Sequence, residues 1–370
     1  MKKAARFIVS VFVAALVVSA GGMFSGCEKA DVKETFKIGV IAPLTGDIAF
    51  IGTGMKEAIL MAREQAGDDT GYNYEVVFED DQNEQKLAAG AAHKLISVDG
   101  VDALITLDSP SGNVVSPIAL KNNVIHFGIA VDPNVAKGDT NFIHWTPATR
   151  QAELLARELK RRGIRKVGVF GTVSQAGWKV YADEFVKAAK DEGINVVTRQ
   201  DFHDGTKDFR NLIARAKPAR PDIYVIEAPT PELEILTRQM REAGIDTPLT
   251  GIETFEVSSD LGLFEGYFYV SAVEPTSAYT TAYREKYNKN APICSGNTYD
   301  IFNLIVAAVE KAGASSSKKP SADRIAAELR NIRNFSGALG ILSIDEDGIV
   351  QSGAQLKMVK NGEFVPLNQP

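Results

Sequence analysis

Cysteine is scarce in this chain: 370 residues hold two, Cys27 and Cys294. A disulfide scaffold is therefore excluded, and with Cys27 used otherwise Cys294 has no partner for even one bridge. The four histidines, His93, His126, His144 and His203, are scattered without metal-ligand spacing, so no metal site is expected. Basic charge does not dominate either. Lys and Arg total 41 against 47 Asp and Glu, a formal net charge of −6, which leaves no electrostatic footprint for nucleic acid. No apolar run beyond residue 27 approaches the ~20 residues of a membrane-crossing helix. A Gly-x-Ser-x-Gly elbow is missing, and Gly52-Thr53-Gly54 lacks the third glycine of a dinucleotide loop and reads as a helix entry. Asp345-Glu346-Asp347-Gly348 starts like a calcium loop, but no glutamate closes a 12-residue frame, so a hairpin turn is expected. Asp80-Asp81 are paired acids with no predictable partner acid or base. The chain is therefore expected to be neither an enzyme nor a carrier of a cofactor.

What is present begins at the N-terminus. Lys2, Lys3 and Arg6 precede the apolar run Phe7 to Ala20, which is followed by Phe24-Ser25-Gly26-Cys27. A basic start, a short apolar core and small residues at the cut make a secretory signal. Phe-Ser-Gly-Cys resembles a bacterial lipobox, although Phe24 stands where leucine is usual. The resemblance implies a signal peptide over 1–26 and a lipid on Cys27, anchoring the chain to a leaflet without spanning it. Glu28, rather than Asp, follows the cysteine, so nothing argues for retention at the inner membrane. The expected location is extracytoplasmic, in the periplasm or cell envelope, with residues 27–35 as a polar tether.

From Phe36 onward, strands and helices alternate. Phe36 to Ala42, Glu75 to Glu79, Ala103 to Leu107 and Val124 to Ile129 read as strands, separated by helices at Met55 to Gln65, Gln85 to Val98 and Val114 to Asn122. The alternation restarts with the amphipathic stretch Gln151 to Arg162 and the strand Lys166 to Gly171, and continues to the strand Thr247 to Ile252. Helices then follow at Ser277 to Asn288, Thr298 to Ala312 and Ala322 to Ile332, and the end is hairpin-like. The fold class is α/β, with two doubly wound three-layer lobes joined by a hinge. Such sheets bind ligands at the carboxyl ends of their strands, where a hinge can close two lobes over a solute.

The order of several segments adds a family. Ile38-Gly39-Val40-Ile41-Ala42-Pro43-Leu44-Thr45-Gly46, Phe78 to Gln82, Asp204 to Phe209 with Lys217 to Asp222, Tyr299-Asp300 with Val306 to Gly313, and the closing Asp345 to Gly348 and Asn361 to Val365 together resemble a type I periplasmic solute-binding protein of the branched-chain amino acid group. The resemblance covers nearly all of residues 36 to 367. It implies lobe 1 over 36–147 and 272–341, and lobe 2 over 148–271 and 342–370. It also implies a monomer that hands an amino acid or analogue to an ABC permease. The alternatives are a sensory protein reporting to a membrane receptor, and a binder of a non-amino-acid amine, amide or carboxylate.

The same resemblance nominates a site. In the family, the loop at Asp108-Ser109-Pro110-Ser111-Gly112 holds the ligand carboxylate through a serine hydroxyl and main-chain N–H groups, which makes Ser109 and Ser111 candidates. Pro110 falls at the usual serine, so the choice between its neighbours is open. The strand end at Ala130 and Asp132 contacts both ligand termini, with Asp132 where a threonine is usual. Glu253 matches the acid that binds the ammonium group. Phe50, Ile51, Ala176 and Pro229 stand where aromatic walls are typical, so the pocket is expected to be enlarged or reshaped, with Trp178 able to refill it. The acids Asp108, Asp132, Glu227 and Glu253 all fall at strand-end loops, an excess that hints at a cationic or amine-rich ligand.

Overall fold

Phe36, Ile38 and Val40 point into one core and every residue of two neighbouring strands is buried, the signature of a parallel sheet covered on both faces. A computed structural model describes residues 33–67, 69–314 and 318–367. The leader at 1–26, Cys27 and most of the tether lie outside the described residues. Among those described, no helix is long and apolar enough to cross a membrane.

The first lobe runs β1 (Thr35–Ala42), α1 (Ala49–Ala66), β2 (Asn73–Asp80), α2 (Gln85–Lys94), β3 (Ala103–Leu107), α3 (Ser109–Lys121), β4 (Ile125–Ile129) and β5 (Asn141–Ile143). Its five strands are parallel in the order β2-β1-β3-β4-β5, with Ile38 opposite Val76 and Ala103, and Ile105 opposite Phe127. The order reverses between β1 and β3, which opens a crevice at their carboxyl ends. The second lobe repeats the scheme with α4 (Ala148–Arg161), β6 (Lys166–Thr172), α5 (Ala176–Asp191), β7 (Asn195–Phe202), α6 (Arg210–Ala216), β8 (Ile223–Glu227), α7 (Glu232–Glu242) and β9 (Leu249–Thr250). Its sheet is parallel in the order β7-β6-β8-β9. In α4, Ala148, Gln151, Ala152, Leu155, Ala156 and Leu159 form one buried stripe at helical spacing.

The remaining elements serve both lobes. They are β10 (Phe268–Ala272), α8 (Ser277–Tyr287), α9 (Ser295–Gly313), α10 (Ala322–Arg330), β11 (Phe335–Gly337), β12 (Gly340–Ile344), β13 (Val350–Gln351), β14 (Ala354–Lys360) and β15 (Glu363–Pro366). Strands β10, β14 and β15 pair antiparallel and join the second sheet through the Ile252–Val270 bridge. Strands β11 to β13 join the first sheet through Ile143–Ile349. Helix α9 carries Ile301, Phe302 and Ile305 into the first core. At its start the buried Asp300 accepts the N–H groups of Ala338 and Leu339 and lies 3.7 Å from His144.

Two details differ from the sequence reading. The sequence reading places residues 342 onward in lobe 2, yet Leu342, Ile344 and Val350 are fully buried in the first core; the part of the chain that packs on the second-lobe cores begins at Ala354 and includes Leu356, Val359, Phe364 and Leu367. The chain crosses at Ser352-Gly353, because a hairpin that buries three aliphatics must finish before it leaves. Helix α3 begins at Ser109 and not at Val114. Pro110 in its first turn is compatible with helix, since that position has no intrahelical N–H bond to lose.

The chain passes between lobes three times, and the passages are tied together. Thr146 Oγ1 lies 2.9 Å from Ser352 Oγ and donates to Gly353 O at 2.9 Å. Arg150 Nη1 donates to Ser352 O at 3.0 Å, and Val273 N to Gly353 O at 3.1 Å. A hinge of this kind can bend without either core opening.

Candidate functional site

The crevices of the two sheets face each other across a cleft of about 310 Å³. Each wall comes from strand ends. The first lobe supplies Asp108 and Ser109 after β3 and Ala130 after β4. The second supplies Ala176, Trp178 and Tyr181 from α5 after β6, and Glu253 after β9. The lobes approach closely: a Cβ on Gly177 would lie 3.3 Å from Val131 Cγ2 and 3.8 Å from Ser109 Oγ.

Three cleft residues, Asp108, Glu253 and Cys294, hold φ of +62°, +58° and +67°. Non-glycine residues in that region carry about 1–3 kcal/mol of strain each, and such strain gathers at ligand sites. Asp108, with ψ at 168°, sits where glycine is the usual occupant.

Glu253 lies at the bottom of the second-lobe wall. Its Oε1 accepts Trp145 Nε1 at 2.9 Å, and the Tyr181 hydroxyl, which accepts Trp145 Nε1 at 3.2 Å and Gln151 Nε2 at 3.4 Å, lies beside it. Burial, then the charge of Glu256, pushes its carboxyl up to about 7, against the pull of these polar neighbours. Behind it, fully buried Glu227 accepts Ile252 N at 2.9 Å through Oε1. Burial and the nearby Glu253 hold Glu227 well above the ordinary carboxyl range. Glu256 has partners of its own: its Oε1 accepts Tyr269 Oη and Ser271 Oγ at 2.9 Å and Lys357 Nζ at 2.8 Å, a lysine that it shares with Glu274.

On the first-lobe wall, Asp108 caps α3, with Oδ1 accepting Ser111 N at 2.7 Å. Burial pushes its carboxyl up to about 6. Ser109 Oγ accepts Val131 N at 3.2 Å and Asp132 N at 3.1 Å. With both lone pairs engaged, its own proton is free for an acceptor in the cleft.

The nominated residues therefore divide. Ser109, Ala130, Ala176 and Glu253 line the cleft. Ser111 turns away, its Oγ 3.4 Å from Asp81 Oδ2. Asp132 is buried and engaged with Asn134 N at 2.9 Å and Asn113 Nδ2 at 2.8 Å, so it starts a turn and does not face the cleft. Phe50 is exposed and borders a neighbouring hollow beside the lobe passages. Ile51 packs against the first core, and Pro229 O accepts Leu233 N at 2.9 Å at the start of α7.

The aromatic walls exist, but they come from elsewhere. Trp178 faces the cleft and meets Tyr181 edge-on at 6.1 Å, and Trp145 comes from the first passage between lobes. Tyr181 was legible as the i+3 neighbour of Trp178 on one helix face. Trp145 carried no sequence signal beyond its rarity. Cys294, the free thiol, also borders the cleft, and burial pushes its thiol well up, which makes it a poor nucleophile. Among the described residues no group of His, Cys, Asp and Glu could hold a metal ion.

Comparison with known proteins fits this geometry. Residues 35–363 match the sequence profile of the periplasmic binding protein family. The chain is 28% identical to the Leu/Ile/Val-binding protein homolog 3 of Brucella melitensis, covering 89% of this chain and 91% of the relative. It is 27% identical to a leucine-, isoleucine-, valine-, threonine- and alanine-binding protein of Pseudomonas aeruginosa, covering 94% of each. The crystal structure of a leucine-binding protein, LivK, from Thermotoga maritima superposes with a TM-score of 0.77 at 27% identity, covering 90% of this chain and 98% of that one.

Proposed function

Because the chain belongs to the periplasmic binding protein family, in its type I branched-chain amino acid branch, we propose that it is the solute-binding lipoprotein of an ABC importer. It captures an amino acid or similar small polar solute by closing its lobes. The observation that carries this reading is the cleft itself: a hydroxyl donor, Ser109, faces an acid of the other lobe, Glu253, with aromatic walls between them. Residues 1–26 act as the signal peptide, Cys27 carries the lipid, and the tether ends near residue 35. The work is binding and release, with no covalent step.

The test is a thermal melt of the mature protein against amino acids, amines, amides and carboxylates. A ligand at 100 times its dissociation constant adds ~2.7 kcal/mol of stability, a visible shift. A hit followed by uptake of the same solute in vesicles carrying the permease supports the importer. A hit with no dependent uptake favours a sensor, and no hit in any class removes the reading.

A further inference from the structure

The cleft does not end at its own walls. The hollow beside the lobe passages, about 570 Å³, adjoins it, and the two share Trp145, Glu256, Ile293 and Cys294 as walls. Glu256 stands at this junction with its carboxylate fixed. Its Oε1 takes three donors, Tyr269 Oη and Ser271 Oγ at 2.9 Å and Lys357 Nζ at 2.8 Å. Its Oε2 takes no bond among the described residues and is not enclosed, so it opens onto the cavities that the side chain lines. The charges around it do not balance. Among the described residues, no Lys, Arg or His lines the cleft, and the hollow's one cation is Lys357. That lysine lies 2.8 Å from Glu274 as well as from Glu256. One positive charge therefore serves two acids, and Glu253 forms no ion pair among the described residues.

Resting on the reading of this cleft as the solute site, we infer that the solute is a basic amino acid whose side chain passes Trp145 and Cys294 and ends in a cation at Glu256 Oε2. The cleft itself takes the α-groups. At the serine loop the N–H groups of Ser109 and Ala130 take no bond among the described residues and are open to the carboxylate, with the Ser109 hydroxyl beside them. Glu253 takes the α-ammonium, which leaves the excess negative charge at the junction. An uncharged side chain lying there would strip water from Glu256 and give it no partner, which is costly for a carboxylate. Trp145, Ile293 and Cys294 suit the methylenes of a long side chain that carries its charge at the tip. Lysine, ornithine and arginine have this chemistry: an α-amino acid head, an apolar stem and a terminal ammonium or guanidinium. Selectivity then lies in Glu256, and Glu274 supports it by drawing Lys357 partly away.

The test is calorimetry at pH 8 on the purified mature protein with two matched pairs, lysine against norleucine and arginine against citrulline. In the tighter-binding pair the base should bind at least about tenfold more tightly than its uncharged analogue, because only the base pairs the desolvated carboxylate. Glu256→Gln should bring that ratio close to one. Its effect on the ionisation of Glu253 reaches both members of a pair equally and cancels in the ratio. Glu274, more than half exposed, offers a second variant that leaves the core untouched. Glu274→Gln gives Lys357 wholly to Glu256 and should lower the ratio by about threefold or more. An uncharged analogue that binds as tightly as its base overturns the inference and leaves solute binding standing. A ratio unchanged in Glu256→Gln, with a native melting curve, also overturns it, as does one unchanged in Glu274→Gln. If none of the four binds while another solute of the wider melt panel does, the inference alone falls; if nothing in that panel binds, the solute-binding reading falls with it.

Discussion

Glu253→Gln isolates one carboxyl whose protonation should govern capture. The carboxyl is lifted from 4.5 to about 7 by burial and by Glu256, while an ammonium ligand requires it ionised. At pH 7 it is half protonated, so binding should release about half a proton, and at pH 8 about a tenth. By pH 5 the ionised fraction of Glu253 is about one in a hundred, which weakens binding by ~2.7 kcal/mol. The sign for the empty protein is opposite. Between pH 4.5 and 7 the folded state keeps a proton that the unfolded chain has released, so this group destabilises the fold as pH rises through that window. Glutamine preserves an acceptor for Trp145 Nε1 and removes the charge. Affinity at pH 8 should fall by about 2 kcal/mol or more, because a buried charge pair is lost. Calorimetry in two buffers of different ionisation enthalpy reads the proton count directly. Wild-type binding with no proton released at pH 7, or a release undiminished in Glu253→Gln, would refute the assignment.

Gly177→Val should weaken ligand binding at least tenfold while leaving the ligand-free melting curve in place, since a Cβ there already meets Val131 at 3.3 Å across the cleft; an unaltered affinity would show that the lobes do not close at this point. Asp300→Ala strands the buried N–H groups of Ala338 and Leu339, which at about 1–3 kcal/mol each should lower stability by ~3 kcal/mol in urea titration; a loss below ~1 kcal/mol would mean the loop finds other acceptors. Cys27→Ser should move the protein from the membrane to the soluble fraction and change its mass, and an unchanged membrane fraction and mass would dismiss the lipid anchor.

The fold was legible because its elements are written at short range. Parallel strands such as β3 and β4 are short, mostly apolar runs broken only by Thr106 and His126, and α4 shows its buried stripe at i, i+3 and i+4. Both signals survive without knowledge of neighbours. The lobe passage near 342 was misplaced for the opposite reason. Whether Leu342, Ile344 and Val350 belong to one core or the other is decided by partners such as Phe142 and Leu329, far away in sequence, and a hairpin pattern reads the same in either lobe.

The site shows the same limit more sharply. Glu253, Ser109 and Ala176 follow strand ends, and the carboxyl end of a strand is where such folds put ligands. The choice between Ser109 and Ser111 turned on where α3 begins. Starting at Ser109, the helix points that residue's oxygen at Val131 and Asp132 and sends Ser111 back toward Asp81. Asp132 read as a possible second acid because strand position alone does not reveal that Asn113 and Asn134 claim both its oxygens. Trp145 was invisible because its role depends on Glu253, 108 residues away. An indole that fixes an acid also excludes water from it, and that exclusion is part of why the carboxyl is hard to ionise until a cation arrives. The aromatic and the acid therefore act as one unit. Trp145→Phe should raise the Glu253 carboxyl further, because it removes a hydrogen bond to the charged form. The variant should bind an ammonium ligand more weakly at pH 7 than at pH 8 by a wider margin than the wild type; equal margins would separate the ring from the acid.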